Sequence, residues 1–171
     1  MALILDVEIR DTNYIIDAHW NYARKESKKF RKFDLQTPYY THPLWCATTI
    51  STETNLDKKI RKEGIITLLY HDILEDTTRE LPFWLNDRVK YLVNEMTFEN
   101  GNAQEMEEIW SKDKEIRLYK LYDKISNLLD GSWMDDEKRK IYEEYTKKLC
   151  LDVKENHGEL NIFKFFKLNY L

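Results

Sequence analysis

The sequence predicts a predominantly helical protein. Its 171 residues include only 4 glycines and 3 prolines, which leaves few of the turns that a many-stranded fold requires. Hydrophobic residues make up 42% of the chain and charged residues 34%, a balance typical of globular proteins rather than disordered ones. At this length a single domain over residues 1–171 is the expected organisation.

The first half of the chain predicts three helices. Apolar side chains recur at helical spacing between Tyr14 and Tyr22 and predict a first helix over residues 11–29. The basic loop "RKFDLQTPYY" follows. Thr41 is expected to cap a second helix whose first turn contains Pro43, where a missing N–H has no cost. A third helix is predicted over residues 57–76, ending before "TTRELPFW".

The second half predicts three more helices and a tail. Helices are expected over residues 84–97, 103–129 and 135–155, and the second of these has a candidate break near "SKDKE". The turn "DGSWMDD" supplies acidic residues for the start of the last helix. In the tail, residues 156–171, apolar and charged residues alternate. Packing against the rest of the chain and contact with a second subunit, as in a homo-oligomer, both remain open.

Composition also narrows the function and location. A net charge of −4 argues against a nucleic acid polymer as partner, although one basic pocket for a small phosphorylated ligand is compatible with it. Cys46 and Cys150 lie in apolar contexts and are expected to be buried free thiols. The run "MALILDVEIR" lacks the basic region and cleavage site of a signal peptide, and no apolar run has membrane-spanning length. The prediction is a cytoplasmic protein with no membrane partner.

The stretch "LLYHDILEDTT" places four chemically active side chains in one apolar run. His71 and Glu75 are four residues apart, as are Asp72 and Asp76, so in a helix both pairs point to one side. Burying several carboxylates without partners costs several kcal/mol each. A divalent cation is the simplest compensation, and it would also lower the pKa of a bound water.

Two further segments can complete the coordination of such an ion. "YYTHPLW" supplies His42, and "KLYDKISNLL" supplies Asp123, with Lys120 one turn before it and Asn127 one turn after it. Two imidazoles and two carboxylates suit Mn²⁺ or Fe²⁺ better than structural zinc. We therefore expect Mn²⁺, with Fe²⁺, Co²⁺ and Mg²⁺ as alternatives.

The order His, His-Asp, Asp resembles the HD phosphohydrolase superfamily. The context is most similar to the hydrolase domain of RelA/SpoT homologues, which degrade the alarmone (p)ppGpp. "TPYYTHPLWCA" resembles PYI-x-HPL-x-VA, "LLYHDILEDTT" resembles LLHD-V-x-EDT, "KLYDKISNLLD" resembles KLADR-x-HN-M, and "RVKYLVNEMT" resembles the LVDGVT region. The resemblance covers about residues 12–155 and implies an all-α HD-domain helical bundle.

The resemblance also implies roles for individual residues. The matches to the metal ligands are His42, His71, Asp72 and Asp123. The matches to the catalytic pair that activates the attacking water are Glu75 and Asp76. The residues assigned to the nucleotide substrate are Arg31, Lys32, Asn127 and Lys120.

Four departures from the family leave the metal ligands untouched, and the first three of them line the expected nucleotide pocket. The loop after Lys32 is longer, "SKKF" replaces the family's H-x-GQ, Ser126 stands where the family usually has His, and Asp130 and Gly131 replace apolar helix residues. The expected function is hydrolysis of ppGpp to GDP and pyrophosphate. Another nucleotide substrate (NADPH, losing its 2′-phosphate, or a deoxynucleotide) and a non-catalytic nucleotide-binding regulator remain open.

Overall fold

A computed structural model describes residues 9–170, with side chains up to residue 166, as a set of α-helices joined by short loops and 3-10 turns. The helices are α1 (Ile9–Asn21), α2 (Thr41–Ser51), α3 (Lys58–Tyr70), α4 (Ile73–Asp76), α5 (Asp87–Met96), α6 (Asn102–Glu108), α7 (Lys114–Leu129), α8 (Asp136–His157) and α9 (Ile162–Tyr170). Over these residues no β-strand forms, and only two isolated bridges are present. The predicted all-α class is confirmed.

Helix α7 lies at the centre of the bundle. Most of its side chains are buried, and it packs against α2, α3, α5, α8 and α9. Gly64 on α3 makes this packing possible, because a Cβ there would lie 2.6 Å from the Tyr119 ring and 2.7 Å from Ile50. These contacts hold α2, α3 and α7 close together, and the four predicted metal ligands lie on α2, on α7 or directly after α3.

The first helix is shorter than predicted. It ends at Asn21 instead of continuing to residue 29, and only a 3-10 turn forms at Glu26–Lys29. After α1 the backbone pairs with a distant segment: the Arg24 amide donates to the carbonyl of Asp76, and the Thr78 amide donates to the carbonyl of Tyr22. These long-range bonds replace the helical ones, and they bring the basic residues that follow beside the Glu75-Asp76 pair.

The predicted helix over residues 57–76 is interrupted between α3 and α4. The carbonyl of Leu68, which an unbroken helix would pair with the amide of Asp72, lies 2.7 Å from the imidazole Nδ1 of His71. The continuous helix was therefore a wrong prediction. The break turns both the His71 and the Asp72 side chain toward the interior.

The remaining boundaries follow the predictions more closely. Thr41 begins α2, but its hydroxyl donates to the carbonyl of Pro38 and Tyr40 is the N-cap, so the capping assignment was wrong. Asn86 and Asp135 cap α5 and α8 through their side chains. The expected break before α7 is confirmed by the 3-10 turn Ile109–Ser111.

The C-terminal tail packs back on the bundle. Ile162, Phe163 and Phe166 of α9 are buried. The carboxylate of Glu53 accepts hydrogen bonds from the backbone amides of Asn161 (2.7 Å) and Ile162 (2.8 Å), at the start of this helix. The first alternative for the tail is confirmed, whereas contact with a second subunit stays a prediction.

Two other expectations concern cysteines and membranes. Cys46 and Cys150 are both free thiols, but only Cys46 is buried, so the expected burial of Cys150 was wrong. None of the helices between residues 9 and 170 combines the length and the apolar character that a membrane span requires. The predicted absence of a signal peptide rests on residues 1–10, of which residues 1–8 lie outside the described part of the chain.

Candidate functional site

Three separate segments bring the four predicted metal ligands together. His42 comes from the first turn of α2, His71 and Asp72 from the break before α4, and Asp123 from the middle of α7. The Nε2 atom of His42 lies 3.3 Å from Asp123 Oδ1 and 3.4 Å from Asp72 Oδ2. The Nε2 atom of His71 lies 3.2 Å from Asp72 Oδ2 and 3.9 Å from Asp123 Oδ1. All four residues are buried.

The two imidazoles are oriented so that their Nε2 atoms face the carboxylates of Asp72 and Asp123. His71 uses Nδ1 to bond the carbonyl of Leu68, and His42 Nδ1 lies 2.8 Å from the hydroxyl oxygen of Ser126. Neither Nε2 atom has a hydrogen-bond partner in the described part of the chain, although both are buried. Buried polar atoms in native proteins are nearly always satisfied. The donor atoms of His42, His71 and Asp123, which lie within 4.8 Å of one another, form a group that could hold a metal ion.

The charges of these two histidines and two carboxylates also favour a bound cation. Burial disfavours the protonated form of His71, but Asp72 and Asp123 outweigh it and raise the pKa of His71 to about 9. Burial lowers the pKa of His42, assisted by the nearby Arg31. Positive charge is therefore attracted to the space between the two carboxylates, and a divalent ion would supply it in place of a proton.

Each carboxylate is also held from outside the cluster. Asp72 Oδ2 accepts a hydrogen bond from the hydroxyl of Tyr39 at 2.7 Å. Asp123 Oδ1 accepts from the Asn127 side chain at 2.6 Å, while its Oδ2 faces Lys120 (3.4 Å) and Lys124 (3.1 Å). Such outer contacts fix the direction in which a ligand oxygen points.

Glu105 of α6 completes the support of Asp123. Its Oε2 lies 3.1 Å from Lys120 Nζ and 2.8 Å from Lys124 Nζ, and its Oε1 accepts from the hydroxyl of Tyr145. All of these side chains are buried. Two lysines and two carboxylates thus form a charge-balanced network behind the cluster, which offsets the cost of burying each charge.

The predicted catalytic pair borders a cavity that opens beside the cluster. The cavity has a volume of about 250 Å³, and Asp72, Glu75, Asp76 and Asp123 all line it. Glu75 Oε1 accepts a hydrogen bond from the backbone amide of Phe98 at 2.9 Å, and burial raises the pKa of Glu75. Asp76 forms an ion pair with Lys28, and burial together with Asp72 raises its pKa.

The four residues predicted to bind substrate all line the same cavity. Arg31 donates from Nε to Asp130 at 2.6 Å and from its terminal nitrogen to Asn127 at 3.2 Å. Asn127 therefore connects Arg31 to Asp123. Lys120 is buried in the network of Glu105, and Lys32 lies over an indole ring. Their roles toward a substrate stay predictions.

One statement about the departures from the family was wrong. Ser126 was expected to line the nucleotide pocket and to leave the metal ligands untouched, but its hydroxyl contacts His42 Nδ1 directly. Successive residues of an α-helix are rotated by about 100° around its axis, so Ser126 faces α2 while Asn127 faces the cavity. Ser27, Lys28 and Phe30 of the "SKKF" region do line the cavity, as does Asp130.

Sequence reasoning missed several residues of the site. Tyr39, Lys28 and Lys124 each lie within a few residues of a predicted ligand or basic residue, so proximity in the motifs was an available signal. No comparable signal pointed to Glu105, because the segment before α7 has only a weak hydrophobic pattern and contains none of the predicted site residues. Trp133, a partly buried residue that packs against the core, also lines the cavity.

Replacing Tyr39 by phenylalanine tests the support of Asp72. We expect apparent Mn²⁺ affinity to fall about tenfold, because outer contacts of this kind contribute ten- to a hundredfold to metal affinity. Titration of Mn²⁺ followed by electron paramagnetic resonance measures this directly. The matched control is Tyr40→Phe at the adjacent position, and equal Mn²⁺ affinities of the two variants would contradict the role of Tyr39.

Comparisons with known proteins show what this chain is similar to. No family model matches the chain. It is 28% identical over 130 residues, 70% of each chain, to the guanosine-3′,5′-bis(diphosphate) 3′-pyrophosphohydrolase MESH1 of Xenopus tropicalis. A solved structure of a metazoan orthologue of SpoT, one that hydrolyses ppGpp and plays a role in starvation responses, superposes with a TM-score of 0.70. The predicted resemblance is confirmed. At 21% identity over 96% of both chains, the structural match shows that the HD-domain fold is shared.

Proposed function

We propose that this chain is a metal-dependent hydrolase that converts ppGpp to GDP and pyrophosphate. The observation that carries the proposal is the meeting of His42, His71, Asp72 and Asp123 around two unsatisfied Nε2 atoms, at the wall of a cavity lined by lysines. The similarity to MESH1 and the fold shared with the SpoT orthologue support ppGpp as the nucleotide.

The residues at the cluster suit a divalent ion. His42, His71, Asp72 and Asp123 would hold it, with Mn²⁺ as the proposed ion and Fe²⁺, Co²⁺ or Mg²⁺ as alternatives. When bound, such an ion polarises a phosphate oxygen and lowers the pKa of a water molecule. The carboxylates are ionised and held in place by Tyr39 and Asn127, so the ligand set is arranged before the ion arrives.

In this proposal Glu75 and Asp76 take the proton from the attacking water. The raised pKa of Glu75 makes its carboxylate a better base than an exposed glutamate. Its bond to the Phe98 amide leaves the second oxygen for a water molecule. Lys28 holds Asp76 through an ion pair at the wall of the same cavity. Both carboxylates are then oriented toward the attacking water.

The basic residues of the cavity would hold the nucleotide. Lys120 and Lys124 lie beside Asp123 and compensate charge that develops on the reacting phosphate. Arg31 is hydrogen-bonded to Asn127, and Asn127 is hydrogen-bonded to Asp123. In this proposal both residues therefore hold the nucleotide close to Asp123. The cavity therefore combines carboxylates, which would hold the metal ion and the attacking water, with basic residues that would hold the phosphates.

A panel of nucleotides tests the proposal. Purified protein is incubated with Mn²⁺ and ppGpp, NADPH or deoxynucleotides, and products are identified by chromatography. We expect GDP and pyrophosphate from ppGpp, complete loss after chelation, and recovery when Mn²⁺ is restored. Turnover of another nucleotide in preference to ppGpp would show that the substrate is wrong, and binding without turnover of any nucleotide would favour a regulator. Cytoplasmic location and homo-oligomer formation stay predictions.

A further inference from the structure

Glu105 differs from the other buried carboxylate that contacts Lys120 and Lys124. In the described part of the chain, the ion pairs of these two lysines go to Glu105 and Asp123. Asp123 divides its oxygens, because Oδ1 faces the imidazoles of the metal cluster and Oδ2 faces the lysines. Glu105 gives one oxygen to both lysines and the other to the hydroxyl of Tyr145. Its charge therefore serves the lysines alone.

The two lysines and Glu105 belong to the wall of the cavity, as do two aromatic rings beside them. Lys120 Nζ lies 5.3 Å from the centroid of the Phe98 ring, and Lys124 Nζ lies 5.4 Å from the centroid of the Tyr142 ring. Each ammonium group is thus held by two carboxylates and by the face of one ring. A phosphate that enters the cavity would meet these ammonium groups beside the carboxylate of Glu105.

The charges of this group decide how strongly it attracts a phosphate. The two lysines carry two positive charges, which the buried Glu105 and Asp123 balance. Burial disfavours the ionised form of Glu105, but Lys120 and Lys124 outweigh it and lower the pKa of Glu105, so its negative charge is kept. Its Oε2 lies within 3.1 Å of both ammonium groups. Because like charges repel strongly where water is excluded, Glu105 opposes the binding of any phosphate that the lysines attract.

We propose that Glu105 is a positioning residue that holds Lys120 and Lys124 in place and limits how tightly the cavity retains a phosphate product. This inference rests on the proposed function, because it concerns the release of pyrophosphate from the same cavity. Without Glu105 the lysines would carry one more unit of uncompensated positive charge and would bind the departing anion more strongly. Slow product release can limit kcat, so this carboxylate favours turnover over retention.

Binding of inorganic phosphate tests the role of Glu105 without any reaction. Isothermal titration compares the unmodified chain with Glu105→Gln, which removes the charge and keeps the shape, and with Glu105→Asp, which keeps the charge. We expect Glu105→Gln to bind phosphate about tenfold more tightly, equivalent to about 1.4 kcal/mol. Glu105→Asp should bind it like the unmodified chain, as should Glu107→Gln, at an exposed residue of the same helix. The order of affinities should be the same with Mn²⁺ and after chelation.

A second comparison keeps the buried charges balanced. Glu105→Gln alone leaves one extra positive charge in the interior, which lowers the stability of the fold. In a Lys124→Gln background, removal of the same carboxylate leaves one lysine facing Asp123. The double variant Glu105→Gln/Lys124→Gln should therefore stay helical by circular dichroism, and it should bind phosphate about fivefold more tightly than Lys124→Gln.

Kinetics separate this inference from the proposed function. With ppGpp as substrate, added pyrophosphate should inhibit Glu105→Gln at about a tenth of the concentration that the control Glu107→Gln requires. A residue with only a structural role would give the opposite sign, because displaced lysines bind phosphate less well.

Equal or weaker phosphate binding after removal of the Glu105 charge, in either background that folds, would overturn the inference. If phosphate binding becomes tighter while the unmodified chain leaves ppGpp intact, the role of Glu105 is supported and the proposed reaction is wrong.

Discussion

Replacing Asp72 by alanine is expected to remove the bound metal ion and to reduce hydrolysis about a thousandfold, equivalent to about 4 kcal/mol of transition-state stabilisation. Asp72 Oδ2 lies between the two imidazoles, 3.4 Å and 3.2 Å from their Nε2 atoms. Without this carboxylate the cluster keeps one acidic ligand and two imidazoles, a weaker set for a hard divalent ion. Elemental analysis of the purified protein and an assay of pyrophosphate release measure the two effects together.

The control for this variant is Asp87→Ala, at an exposed carboxylate in the first turn of α5. It should keep metal content and activity. Circular dichroism establishes that both variants remain helical, so that loss of activity is not loss of fold. An Asp72→Ala protein with full metal content and normal pyrophosphate release would exclude Asp72 as a ligand.

Replacing Glu75 by glutamine is expected to reduce kcat a hundred- to a thousandfold while the metal content stays unchanged. The amide keeps the shape of the side chain, and its oxygen can still accept from the backbone amide of Phe98, as Glu75 Oε1 does at 2.9 Å. It cannot take a proton from water, and general base catalysis contributes about a hundred- to ten-thousandfold. Steady-state kinetics at saturating Mn²⁺ measure the change in kcat.

Glu107→Gln is the matched control, because Glu107 is an exposed residue of α6. Two results would contradict the role of Glu75. Activity close to that of the control would exclude it as the base, and loss of the metal ion from Glu75→Gln would instead indicate that Glu75 is a ligand.

The meeting of the four predicted ligands could be anticipated from sequence because each of them lies in a short local pattern. His71 and Asp72 are adjacent, His42 precedes Pro43 at the start of a helix, and Asp123 lies one turn before Asn127. Local spacing fixes which side chains share a face of a helix. Spacing within each segment does not show that the three segments meet in the fold. That expectation came from their order, which resembles the order in HD phosphohydrolases.

The supporting residues could not be predicted in the same way. Glu105 reaches Asp123 only through Lys120 and Lys124, across the contact between α6 and α7.

The ends of helices could not be predicted from local sequence either. Helix α1 stops at Asn21 because backbone groups near Tyr22 and Arg24 bond to residues about fifty positions away, and helical periodicity carries no information about such partners.

Glu53 connects the far end of the chain to the reaction centre. Its buried carboxylate receives the two amides that open α9 and the hydroxyl of Tyr122, the neighbour of Asp123. A fragment cut after residue 155, where the recognisable motifs stop, would lack the two amide donors of Glu53. We expect truncation there to loosen the middle of α7, where Tyr122 and Asp123 lie.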